Sequence, residues 1–225
     1  MIVFDEKKHA EKMLKIGFIT PNQEIRDLFI LAKYLYNNNY IEEEVIKYLI
    51  NFLEKNNIGY SSNLIESIVL KTAKSAKQGI LVYDKVINIY ESELKEIQKL
   101  NDEELEKLLF CYITLSKFYN GMFKISRAEL FRLAGLKVYN DKKPKLINKL
   151  NKLGLTLTKS VKGKTLRGVN IKPKGDCLLS FIASDEFIVE FLKYKYPNKY
   201  KKCICCQKTI EIKNNKTQYC KECAR

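Results

Sequence analysis

The chain has 225 residues, 46% of them hydrophobic and 30% charged, enough apolar material for one large domain or two smaller ones and too much for wholesale disorder. No apolar run approaches the ~20 residues that span a bilayer, and residues 1–13 lack the apolar stretch after a basic start that marks a secretory signal, so a soluble, cytoplasmic protein is expected. The formal charge of +15 is unevenly placed: residues 1–119 carry 16 Lys and Arg against 18 Asp and Glu, residues 120–202 carry 20 against 6, and residues 203–225 carry 5 against 2.

His9, the only histidine, falls in a polar N-terminal helix with no cysteine or paired carboxylate at motif spacing around it. Residues 22–36 place Ile25, Leu28, Phe29, Ala32, Leu35 and Tyr36 on one face, which predicts a helix that Pro21 precedes and the Asn37-Asn38-Asn39 run ends. A second helix is predicted over 41–55 on the stripe Val45, Ile46, Leu49, Ile50 and Leu53. Glu42, Glu43 and Glu44 open it, where acids favour the positive end of the helix dipole. A third begins at Ser61 or Ser62 and stops near Gly79; residues 80–83 and 86–90 are strand candidates, and a short helix follows over 92–100. No recognisable chemistry falls in this block. Residues 1–100 are therefore expected to form a helical scaffold, an oligomerisation unit or a surface for a protein partner.

From residue 101 the order becomes specific. Asn101 with Glu104 reads as a capping box for a helix ending near Tyr119 and Gly121, and a short β-like segment follows over 122–125. Ser126 with Glu129 caps a second helix over 127–133, and Ala134-Gly135-Leu136 supplies the turn. A third helix is expected from Pro144 to Gly154, with Leu146, Ile147, Leu150 and Leu153 on one face. Lys145, Asn148, Lys149 and Lys152 lie on the other, and Lys142 and Lys143 stand just ahead. Two β-like stretches over 155–159 and 166–171 then form a basic hairpin carrying Lys159, Lys162, Lys164 and Arg167. Helix, strand, helix, turn, helix and basic hairpin resemble a winged helix-turn-helix over residues 101–173. In that fold the third helix offers donors to the major groove while its other face is buried. Lysines there and in the wing would neutralise phosphates, and Asn148 would meet a base edge. A basic helix face is also often only a solvated one, and winged helices also bind proteins; the scarcity of acids tips the reading toward nucleic acid.

Residues 174–202 read as a connector: a strand over 177–183, then a helix capped by Ser184 or Asp185 and stopped by Pro197. Lysines and tyrosines mix over 194–202, equally suited to stacked bases or to an ordinary helix end. Cys111 and Cys177 have apolar neighbours and are expected in the core. In residues 203–225, Cys203 and Cys206 form one C-x-x-C pair and Cys220 and Cys223 another, thirteen residues apart. Each pair is a knuckle whose thiolates converge on one metal, and a set made wholly of cysteine leaves no open position, so a single structural Zn2+ is predicted. Five of the seven cysteines cluster here, a usage that fits ligation in a reducing compartment better than a disulfide framework. An iron–sulfur cluster suits two close knuckles less well. Residues 209–213 read as a strand with a turn at Asn214-Asn215, and the whole resembles a four-cysteine zinc ribbon, in which glycine usually follows the first knuckle where this chain has Gln207. Cys205 is left as a spare thiol.

The fold class expected is mainly α with small β elements: a helical N-terminal domain, a winged helix-turn-helix, a strand–helix connector and a zinc ribbon. The ending Tyr219-Cys220-Lys221-Glu222-Cys223-Ala224, behind a basic winged helix, is similar to proteins carried by phages and mobile elements of low-GC bacteria. That resemblance implies a bacterial or phage setting and no reaction. The function expected is non-enzymatic binding of nucleic acid, duplex DNA ahead of RNA, as a transcriptional regulator or replication factor. The alternative is a phage-encoded inhibitor that binds a host protein or a nucleic-acid-guided defence complex. An enzyme such as a nuclease is not expected, because Glu129, Asp141, Asp176, Asp185, Glu186 and Glu190 are scattered without metal-site spacing.

Overall fold

A computed structural model describes residues 2–56, 61–207, 209–212, 217–220 and 223–224. The chain divides into two compact units, Met1–Lys85 and Val86–Arg225. Helices form the bulk of the regular structure in both, and among the described residues the small antiparallel sheets lie in the second. No helix among the described residues is long and apolar enough to cross a membrane.

The first unit contains α1 (Glu6–Ile16), α2 (Glu24–Asn37), α3 (Glu42–Lys55) and α4 (Ser62–Ala76). Each is amphipathic, and the buried stripes, among them Leu28, Leu31 and Leu35 of α2 and Val45, Leu49 and Leu53 of α3, meet in one core. Residues 80–83 form no strand; they are held to the start of α1, where Glu6 N donates to Val82 O at 2.8 Å.

The second unit begins with β1 (Val86–Tyr90) and α5 (Glu91–Gln98), both expected in the first block. Then come α6 (Glu103–Phe118), β2 (Phe123–Lys124), α7 (Arg127–Leu133), α8 (Lys142–Lys152), β3 (Thr156–Val161) and β4 (Lys164–Val169). The chain continues through β5 (Cys177–Ile182), α9 (Phe187–Lys195), a 3-10 turn at Pro197–Lys199, β6 (Tyr200–Lys202) and β7 (Thr209–Glu211). The pairing of β1 with β5, in which Ile87 faces Phe181 and Ile89 faces Leu179, draws residues 86–90 into this unit. It also makes the expected connector part of the core.

Helix α6 is the hub. Every residue from Leu108 to Leu115 is buried, as befits a helix enclosed on all sides. Phe110 stacks on Phe191 at 4.7 Å between ring centroids and meets Phe181 and Phe187 at 5.9 and 6.2 Å. Asp102, rather than Asn101, caps it, accepting from Glu104 N and Leu105 N at 3.1 and 3.2 Å. Asn101 has φ +48° and serves the preceding turn. Ser126 caps α7 through Glu129 N, as its spacing predicts. In the three-stranded sheet β4 lies between β2 and β3. Cys111 is buried, but Cys177 is exposed at the start of β5, because a two-stranded sheet covers only one face. The turn expected at Asn214-Asn215 lies outside the described residues.

Candidate functional site

Helix α8 begins at Lys142, two residues ahead of Pro144. Its heptad-like spacing buries Leu146, Ile147 and Leu150 and leaves Lys142, Lys145, Asn148, Lys149 and Lys152 exposed. The exposed residues divide into two rows. Lys142 and Lys149, seven apart, turn to the N-terminus of α6, where Lys142 Nζ is 2.6 Å from Glu104 and Lys149 Nζ is 3.6 Å from Asp102. Lys145, Asn148 and Lys152 form the other row and have no hydrogen-bond or ion-pair partner among the described residues. Lys143 is half-buried, donating to Asn140 Oδ1 at 3.0 Å over the ring of Phe131. The first turn of α8 holds no acid. Cations at that end cost about 0.3–1 kcal/mol each, and a local conflict of this kind is expected where function overrides folding preference.

Strands β3 and β4 join through Lys162 and Gly163, with φ +47° and +71°. Two positive-φ residues suit the tight turn whose twist matches a hairpin. From Leu157 to Val161 every residue of β3 is exposed, so both faces of the strand are open and the ribbon projects from the core. Lys159, Lys162 and Lys164 are exposed on it. Asn151 ties this ribbon to α8, accepting from Thr156 Oγ1 at 2.7 Å and donating to Thr158 Oγ1 at 3.2 Å. Asn170 Nδ2 adds a bond to Gly154 O at 3.1 Å.

Two positions differ from the sequence reading. Arg167 is only 6% exposed and donates through Nη1 to Ile125 O at 2.8 Å; it lies beneath the sheet and is not part of the basic surface. The reason is register: Arg167 pairs with Phe123 and Thr158 on the side of β4 that faces the core. Lys124 is the residue missed. It pairs with Leu166, which pairs with Lys159, so the two lysines flank Leu166 in one cross-strand row. Only the pairing of β2 with β4, distant in sequence, reveals this.

The four expected metal ligands converge. The sulfurs of Cys203, Cys206, Cys220 and Cys223 all lie within 4.8 Å of one another, and those of Cys206 and Cys220 are 3.7 Å apart. Tetrahedral zinc with ~2.3 Å bonds places its sulfurs about 3.8 Å apart. The residues therefore fit a metal ion of that kind. The knuckle backbone supports the sulfurs: Cys220 N donates to Cys203 Sγ at 3.3 Å, and Gln207 N donates to Cys203 O at 3.0 Å. Bonds from the backbone of Cys206 and Cys220 lower the Cys203 thiol to about 6, while bonds from the neighbouring thiols, Cys220 first, push the Cys223 thiol up. Gln207 adopts φ +60° at the position where such knuckles usually have glycine. Strands β6 and β7 flank the first knuckle, and Lys202 and Thr209 both reach Glu190 of α9, at 3.3 and 2.7 Å, anchoring the module to the core. The mixed Lys–Tyr segment is thus partly structural: Tyr200 begins β6, and Lys195 is held by Glu106.

His9 has a structural partner that its surroundings in sequence did not suggest. Its Nε2 lies 2.8 Å from Oδ1 of Asp27, which is fully buried and accepts from Ile19 N and Thr20 N at 3.1 and 3.0 Å. Burial alone would raise the Asp27 carboxyl, but the bonds from His9, Thr20 and Ile19 outweigh it and hold the group below its ordinary range. This links α1 to the start of α2. Among the described residues, the four cysteines are the sole cluster of three or more His, Cys, Asp or Glu side chains placed to hold a metal.

No known family model matches the chain, and no solved structure matches it.

Proposed function

We propose that residues 101–173 form a winged helix-turn-helix that binds nucleic acid, duplex DNA first, without catalysing a reaction, and that the C-terminal cysteines hold one structural Zn2+. The observation that carries this reading is the coincidence of topology with charge. The order α6, β2, α7, α8, β3, β4, with β4 central in its sheet, supports this reading, since it supplies a helix pair followed by a helix and a projecting ribbon. The two elements that would meet DNA, α8 and the β3–β4 ribbon, carry exposed Lys145, Asn148, Lys152, Lys159, Lys162 and Lys164. Lysines would neutralise phosphates, and Asn148 has the donor and acceptor needed for an adenine edge. Lys124 extends the basic surface. The metal module is tied to α9 through Glu190, and a structural role of that kind needs no open coordination position.

The test is a titration of metal-loaded protein against random duplex DNA, single-stranded DNA and RNA at two salt concentrations, beside a variant with Lys145, Lys152, Lys162 and Lys164 changed to Glu. Wild-type binding that weakens with salt and is abolished in the folded variant supports the reading. Absence of wild-type binding at low salt rejects it and leaves a protein or ribonucleoprotein partner as the target.

A further inference from the structure

The lysines of α8 are not equally available, and the cause lies on another helix. Asp102 uses Oδ1 to cap α6 and turns Oδ2 to Lys149 at 3.6 Å. Two residues on, Glu104 Oε2 holds Lys142 Nζ at 2.6 Å. Asp102 is the N-cap of α6 and Glu104 lies in its first turn, where the dipole favours acids, while their partners lie seven residues apart along α8 and so on one face. The adjacent row, Lys145, Asn148 and Lys152, has no such neighbour among the described residues.

We infer that Asp102 and Glu104 are positioning residues that withhold Lys142 and Lys149 from phosphate, confining contact by α8 to the row Lys145–Asn148–Lys152. The inference rests on the nucleic-acid reading above and adds to it which residues limit the footprint. The physical argument is competition. A carboxylate within ion-pair distance neutralises an exposed ammonium much as a phosphate would, and a negative charge beside the groove repels the backbone. Both pairs are solvent-exposed, so each is weak and adjusts affinity without locking the helix. Non-specific binding is almost wholly electrostatic. Withholding two cations therefore lowers it, while a base contact from Asn148 remains.

The perturbation is the double variant Asp102→Asn, Glu104→Gln. Asparagine caps a helix as well as aspartate does, so α6 keeps its start, which a thermal melt checks. Each added phosphate contact steepens the dependence of log affinity on log salt by about 0.9. Two freed lysines should steepen the slope by about 1.8 and tighten binding to random duplex DNA on the order of tenfold at 0.1 M salt. The charge-conserving variant Asp102→Glu, Glu104→Asp should keep the wild-type slope. If the wild type and the Asp102→Asn, Glu104→Gln variant both bind, lose binding with Lys145→Glu, Lys152→Glu, and share the same affinity and slope, this inference is overturned while the nucleic-acid reading stands. If neither binds any nucleic acid at low salt, both fall together.

Discussion

Arg167 separates a structural cation from a functional one, and replacing it with alanine tests the distinction. The guanidinium is 6% exposed, and its bond to Ile125 O fastens β4 to the chain that leads into α7. Loss of a charge-assisted hydrogen bond of this kind costs about 1.5–3 kcal/mol. Removing the buried aliphatic stem adds about 1–2 kcal/mol. Nε has no hydrogen-bond partner among the described residues, so deleting it returns part of that loss. A net destabilisation of about 3 kcal/mol remains, and in a unit of this size it should lower Tm by roughly 10 °C. Salt-dependent binding, measured below the melting range, should keep its wild-type slope, because no phosphate contact is removed. A variant that melts like the wild type yet loses about 0.9 from the salt slope would show that Arg167 reaches the surface, and the packing argument would be wrong.

Three further outcomes are expected. Replacing Asp27 with Asn should destabilise the first unit by about 2–4 kcal/mol, measured by denaturant unfolding, since the buried carboxylate accepts three bonds. Because the folded-state Asp27 is held below its ordinary pKa, its contribution is complete above an unfolded value of about 3.9 and is lost as pH falls further through the folded value; the variant should lack that part of the acid dependence. Metal analysis should find one zinc per chain, retained in Cys205→Ser and lost in Cys206→Ser; the reverse result would place Cys205 in the ligand set. Gln207→Gly should stabilise the metal module by about 0.5–1 kcal/mol, because an L residue at φ +60° carries strain that glycine lacks; a chelator competition assay reads this as slower metal loss, and faster loss would refute it.

The elements that were legible in sequence are those whose signal is local. Helical stripes such as Leu28-Ala32-Leu35, the Ser126 cap and the two cysteine pairs depend on spacing within one or two turns or one knuckle, and all appear close to where spacing puts them. What was hidden depends on partners far along the chain. Tyr90 and Cys177 meet across β1 and β5, so residues 86–98 belong with the second unit although their composition matches the first. Phe110 looks like any helix residue until Phe181, Phe187 and Phe191 surround it. Arg167 and Lys164 read alike in a basic hairpin, and only the register of β4 against β2 sends one inward. The ion pairs of Lys142 and Lys149 likewise required α6 to lie beside α8.

The central claim is that the exposed lysines of α8 and the β3–β4 ribbon meet nucleic acid. Its most direct test is the salt dependence of binding to duplex DNA by the wild type and by the variant with Lys145, Lys152, Lys162 and Lys164 changed to Glu. The account predicts tight binding with a steep slope for the wild type, and loss of binding in the variant with an unchanged melting profile. Equal binding by the two proteins, or none by the wild type at low salt, would contradict it.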